Sequence, residues 1–104
     1  MDRDQLDKSR REVLRWRIIQ TCNIGRPYPV AEDIIYQTVA GPDMPVTEFD
    51  VRKELDYLES RKLVEIEGRG KPQGWAAKLT RYGVDLAEYA IECEPGIGRP
   101  QKYW

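Results

Sequence analysis

"KLVEIEGRGKPQGWAAKLT", residues 62–80, decides how the rest of the chain is read. In "LVEIE" the apolar Val64 and Ile66 alternate with Glu65 and Glu67; in "GWAAKLT" Trp75, Ala77 and Leu79 share a face. Alternation with a period of two predicts two half-buried strands. Pairing Ile66 with Trp75 and Val64 with Ala77 sends every large apolar side chain to one side and leaves "GRGKPQ" as the turn. That turn carries Arg69 and Lys71 and no acid, in a chain whose net charge is −1.

Upstream, Thr47 followed three residues later by Asp50 has the form of a capping box, so a helix is predicted from Glu48, within residues 47–61. Val51, Leu55 and Leu58 form its core stripe, and Phe49, Lys53, Asp56 and Ser60, flanked by Arg52 and Tyr57, form the opposite side. Glu54 and Glu59 project sideways, within reach of Arg61 or Arg81. An earlier helix, "VAEDIIYQTVA" from Val30 to Ala40, turns Ala31, Ile34, Ile35 and Val39 to one side and stops at Gly41-Pro42. The first helix, residues 5–23, buries Leu14, Ile18 and Cys22 and stops at Gly25, with Pro27 and Pro29 beyond. Trp16 and Ile19 lie well round from that stripe and give the helix a second apolar side. After the hairpin, Thr80 caps a fourth helix, "RYGVDLAEYAIEC", which Pro95-Gly96 ends. The expected class is α+β, mainly α: a domain over residues 1–94 and an irregular tail over 95–104.

Composition narrows the function. At 40% hydrophobic and 34% charged, 104 residues suit one globular core, and no apolar run is long enough to span a membrane. The start, "MDRDQLDKSRREV", has no apolar signal stretch, so a cytoplasmic protein is expected. Cys22 and Cys93 have no metal spacing and read as reduced core thiols; histidine is absent, which removes the commonest general base and metal ligand. No nucleophile can be matched with a base, "GRGKPQG" lacks the Ser/Thr and strand-to-helix context of a phosphate loop, and no enzyme, metal or cofactor is expected. Charge is unevenly placed. Residues 1–29 carry +3, residues 30–67 carry −6, residues 68–83 carry +4 and residues 84–104 carry −2. A neutral sum thus hides a two-sided surface.

Three helices, a two-stranded hairpin and a further helix is the order of a winged helix-turn-helix domain. "VRKELDYLESRKLVEIEG" (51–68) and "KLTRYGVDLAEY" (78–89) resemble that family, in an arrangement similar to the MarR and PadR types. The short tail "GIGRPQKYW" also looks like that of small bacterial or bacteriophage regulators. The resemblance implies transcription regulation, with helix 47–61 in the major groove of double-stranded DNA and a wing, residues 63–80, reaching the backbone. It places Thr47, Phe49, Arg52 and Lys53 at the exposed start of the recognition helix and Arg69, Lys71 and Gln73 at the wing tip. Positive charge on a hairpin tip suits phosphate contact.

Each feature has a plainer alternative. Arg69 and Lys71 also read as solvated turn charges, and Arg52 and Lys53 as partners of Asp56 and Glu48. Phe49 either touches a thymine methyl group or packs beneath "GPDMPV". Trp75 reads as wing core against Ile66. Trp16, Ile19, Leu86, Tyr89 and Cys93 predict a homodimer seam, unless the tail folds back and Tyr103 or Trp104 covers Trp16. Five acids on the third helix leave a second function open: a winged helix serving as a protein-interaction module without DNA binding.

Overall fold

A computed structural model describes residues 2–102 of the chain. It has four helices and a three-stranded antiparallel sheet, in the order α1 (Arg3–Ile24), β1 (Val30–Ala31), α2 (Glu32–Val39), α3 (Glu48–Ser60), β2 (Val64–Glu67), β3 (Ala76–Leu79) and α4 (Arg81–Ala87). About half of the chain is helical, so the class is α+β. No helix among the described residues is long and apolar enough to cross a membrane.

Local chemistry sets the limits of α3. The Thr47 hydroxyl accepts from the Asp50 amide at 3.1 Å, and the Asp50 carboxylate accepts from the Thr47 amide at 2.9 Å. This reciprocal pair satisfies two of the amides that a helix start leaves without partners. Val51, Leu55 and Leu58 are buried along one side. At the other end Lys62 adopts φ 66°, with Lys62 N–H on Glu59 C=O and Leu63 N–H on Leu58 C=O, both at 3.0 Å. That is a Schellman closure with lysine where glycine is usual, and the buried Leu63 supplies its apolar contact.

The sheet differs from the sequence reading in register and in strand number. Val64 faces Leu79 and Ile66 faces Ala77, two residues displaced from the expected pairing. Because side chains alternate with period two, the inward faces are unchanged. The displacement leaves Trp75 outside the β2–β3 ladder and lengthens the turn to residues 68–75. Gly68 and Gly74, at φ 83° and 86°, lie so close that a Cβ on Gly68 would overlap the Gly74 carbonyl oxygen. Val30 and Ala31, expected inside the second helix, are strand: they pair with Ala77 and Ala76 and put β3 at the centre of the sheet. Extended pairing directly after Pro29 delays α2 to Glu32, and Ile34, expected in the core, is 51% exposed.

Helix α4 ends earlier than its apolar spacing predicts. Tyr89 takes φ 61°, Tyr89 N–H bonds Leu86 C=O, and Ala90 N–H bonds Asp85 C=O at 2.8 Å, a second Schellman closure. The reversal carries the Tyr89 ring onto Trp16, edge to face with centroids 6.0 Å apart, and lets its hydroxyl donate to the Pro100 carbonyl at 2.8 Å. The tail lies across the same side: Gly98 N–H bonds Glu12 C=O, Ile97 is buried, and Arg99 donates to the carbonyls of Leu86 and Ile91.

These contacts place the residues of the expected dimer seam against their own chain. Ile19 and Leu86 are fully buried, Trp16 is buried, and Tyr89 and the half-buried Cys93 pack against the same core. The second apolar side of α1 is covered by α4 and the tail of its own chain. Tyr103 and Trp104, expected as the cover, lie outside the described residues.

Gly83 shows why "LTRYG" has the form it has. Thr80 caps α4 by accepting from Gly83 N–H at 3.0 Å and donates its own hydroxyl to Lys62 C=O at 2.7 Å. The first turn of α4 is thereby drawn so close to β2 that a Cβ on Gly83 would overlap the Leu63 carbonyl oxygen. A backbone atom cannot yield as a side chain can. Gly83→Ala is expected to cost about 1–3 kcal/mol, a fall in Tm of at least about 5 °C for a domain this size. A thermal melt followed by circular dichroism checks it; an unchanged Tm would show that α4 can move off β2 freely.

Candidate nucleic-acid interface

The outward side of α3 and the 68–75 turn meet around Trp75. Arg52 grips Glu32 with both ends of its guanidinium, Nε to Oε1 at 2.7 Å and Nη2 to Oε2 at 2.9 Å. Glu32 stands at the start of α2, and its Oε2 also accepts the Trp75 backbone N–H. Glu32 N–H in turn donates to the Trp75 carbonyl at 2.8 Å. The Arg52 guanidinium carbon lies 4.6 Å from the Trp75 ring centroid and that of Arg69 lies 4.1 Å from it. Arg69 then reaches back to α3: its Nη2 donates to Asp56 at 2.6 Å and to Glu59 at 2.8 Å. Glu59 uses its other oxygen to accept the Ile66 amide at 3.0 Å. A continuous chain of contacts joins α2, α3 and the turn.

Charge in this network differs from the sequence reading. Arg52 was expected at the exposed start of the recognition helix or, on the plainer reading, paired within the helix, and Arg69 as a positive charge at a hairpin tip. Both are folded against carboxylates, and the five ionised groups Glu32, Arg52, Arg69, Asp56 and Glu59 sum to −1. The Arg52 hydrogen bond holds the Glu32 carboxyl below its ordinary range, against the opposing effect of burial and with help from the Trp75 amide. Glu32 raises the pKa of Arg52, while Asp56 and then Glu59 raise that of Arg69.

The remaining predicted residues are placed as follows. Phe49 is 72% exposed and so is not packed beneath the "GPDMPV" loop, which closes on itself through mutual Gly41 and Met44 hydrogen bonds and buries its own Met44. Lys53, Lys71 and Gln73 are exposed, and neither lysine has an ion-pair partner among the described residues. Thr47 is exposed with its oxygen engaged in the helix cap. Trp75 is half-buried and packs against the core, as does Ile66, but outside the β2–β3 ladder and with both guanidiniums over its ring. Glu54 is not a sideways surface group either. It is buried, accepts from Arg15 Nε at 2.7 Å, and Arg15 also donates to the Gly96 carbonyl and lies 3.7 Å from the Tyr57 ring centroid. Arg61 pairs with Glu94 at 2.6 Å. Arg10, Arg11 and Lys53 border an open cleft of about 340 Å³ between α1 and α3, with Asp7 and Asp50 on the same walls.

Glu32, Trp75, Asp56 and Glu59 are the residues of this site that the sequence did not single out as a group. Their association depends on the sheet register and on β1, neither of which shows in local spacing. Burial pushes the Cys22 thiol up to about 12, so it is a neutral core group at ordinary pH. Comparison with protein-family models, with curated proteins and with solved structures finds no match to this chain.

The depressed Glu32 carboxyl links this site to pH. A carboxylate whose folded pKa lies below its unfolded value stabilises fully above the unfolded value, and the contribution disappears as pH falls through the folded one. Glu32→Gln keeps an acceptor for Trp75 N–H and removes the charge. It is expected to lower the urea midpoint at neutral pH and to narrow the gap to wild type as pH falls from about 5 to about 2. Asp43, lowered by Arg17, acts in the same direction and is present in both proteins, so the difference isolates Glu32. Urea titrations across that range measure it; parallel curves would show that Arg52 and Glu32 do not stabilise the fold.

Proposed function

We propose that the chain is a small winged-helix DNA-binding protein, a transcription regulator that engages duplex DNA through the outward side of α3 and the 68–75 turn. The order α1–β1–α2–α3–β2–β3–α4 supports this reading, since it matches the resemblance carried by residues 51–68 and 78–89. The observation that carries it is the Trp75 network. It fixes the turn against α3, so that exposed Phe49 and Lys53 on the helix and Lys71 and Gln73 on the turn belong to one firmly held face. A face held in this way can meet the backbone and a groove together. Lys71, a compact charge with no ion-pair partner among the described residues, is suited to phosphate. Lys53 and Phe49 are suited to base edges and a thymine methyl group. Arg52, by contrast, is a positioning residue, since its guanidinium is occupied by Glu32.

One observation favours the alternative of a protein-interaction module. The carboxylates of the network outnumber its arginines, and Phe49 stands exposed beside them. Such a face also suits a basic partner with an apolar recess.

Fluorescence anisotropy of labelled random duplex, titrated with protein across a salt series, separates the two. Saturable binding that weakens steeply with salt is expected. Lys71→Glu should weaken binding to every sequence and reduce the salt slope by about one. Lys53→Ala should relax sequence preference once a preferred site is selected, at about 1–3 kcal/mol. Absence of binding at low salt would overturn the DNA reading in favour of the interaction module.

A further inference from the structure

Two carboxylates converge on a single nitrogen of Arg69. Asp56 Oδ1 and Glu59 Oε1 both accept from Nη2, at 2.6 and 2.8 Å. Two anionic oxygens on one guanidinium is the arrangement a phosphate would also offer. All three side chains are accessible: 41% for Arg69, 57% for Asp56 and 39% for Glu59. Exposed ion pairs of this kind are weak and open to exchange with other ions.

The two arginines of the network differ in what would follow from exchange. Glu32, the partner of Arg52, also holds the Trp75 amide, so its departure would loosen the turn. Neither partner of Arg69 holds the turn itself: the Asp56 carboxylate has no other hydrogen bond among the described residues, and Glu59 holds Ile66 N–H of β2 with the oxygen that does not accept from Arg69. The Arg69 guanidinium also rests on the Trp75 ring, 4.1 Å from its centroid, a contact that involves neither acid.

We propose that Asp56 and Glu59 act as an internal competitor for phosphate: they occupy Arg69 in the free protein and release it to a backbone phosphate when nucleic acid binds. The inference rests on the DNA-binding reading and deepens it. It gives the acids of α3 a role that solvation alone does not. A sparse anion meets an arginine already satisfied, whereas the dense phosphate array of a duplex displaces both carboxylates and gains a contact that is already oriented.

The test is the double variant Asp56→Asn/Glu59→Gln, in which the side-chain oxygen needed by Ile66 N–H is retained. Thermal melts establish that it folds. Random labelled duplex is then titrated across a salt series against three proteins besides wild type: the double variant, the same variant with Arg69→Ala added, and Glu48→Gln/Glu67→Gln. The last removes two exposed carboxylates that have no ion-pair partner among the described residues, and so controls for net charge. The double variant is expected to bind roughly three- to tenfold more tightly. Its salt slope should match that of wild type, because both proteins make the Arg69 contact once bound. Adding Arg69→Ala should abolish the gain and flatten the slope by about one, and the charge control should show no comparable gain. If wild type binds but the double variant gains no more than the control, the competitor is overturned and the DNA reading stands. If wild type fails to bind while the double variant binds in an Arg69-dependent way, the acids block Arg69 without releasing it, and both the exchange and DNA binding by the unaltered chain are overturned. Failure of every protein to bind overturns both.

Discussion

The bridge made by Glu32 is the constraint on which the outward face depends. One carboxylate takes the fork of Arg52 from α3 and the backbone amide of Trp75 from the hairpin turn. It stands at the first position of α2, where negative charge also complements the helix dipole. Gly74 is required by the same contact, because a Cβ there would sit 2.8 Å from Glu32 Oε2 and the residue is at φ 86°. Each exposed ion pair is worth only about 0.2–1 kcal/mol. Each stacked guanidinium adds about 0.5–1 kcal/mol. No single contact would fix a turn of this length, but they share atoms. Moving Trp75 breaks contacts to both arginines and to Glu32 together.

Behind that face, α1 is the strut of the molecule. Leu14, Ile18 and Cys22 bury one side, and Trp16 and Ile19 bury another. An amphipathic helix normally leaves most of its circumference to water. Here the tail supplies the missing wall, held at Glu12 by Gly98 and at Leu86 and Ile91 by Arg99, while Arg15 ties Gly96 to the buried Glu54 of α3. The Gly98 backbone approaches closely enough that a Cβ would lie 2.9 Å from the Glu12 carbonyl. An irregular segment can therefore be an integral part of the core.

What was legible in the chain follows from how far each feature reaches. The Thr47–Asp50 cap, the Val51–Leu55–Leu58 stripe, the stop at Gly25 and the inward faces of the hairpin are decided within a few residues, and the spacing exposes them. The end of α4, the strand at Val30–Ala31 and the hairpin register are decided by distant partners: Trp16 and Arg99 for Tyr89, β3 for Val30, and Glu32 for Trp75. Local propensity carries no record of these. The candidate site shows the same division. Thr47, Phe49, Lys53, Lys71 and Gln73 are exposed as their positions suggest. Arg52 and Arg69 are exposed by position too, yet their guanidiniums are drawn to acids 20 and 13 or 10 residues away.

That last point changes how the charge segregation should be understood. The positive interval 68–83 and the negative interval 30–67 look like two opposed surfaces when laid out along the chain. Folding brings them together, because the hairpin returns the turn to the side of α3 that carries Asp56 and Glu59. Short-range attraction between the intervals then helps to seat the turn, and the same attraction lowers the field that the turn presents to an incoming polyanion. On the proposed reading, stability of the hairpin and strength of anion binding would thus be set in opposition at Arg69. At Lys53 and Lys71, which have no carboxylate partner among the described residues, they would not be. On the proposed DNA-binding reading, such a face would favour ligands whose charge is dense enough to compete with the protein's own acids, and would discriminate against weaker anions without any additional residue.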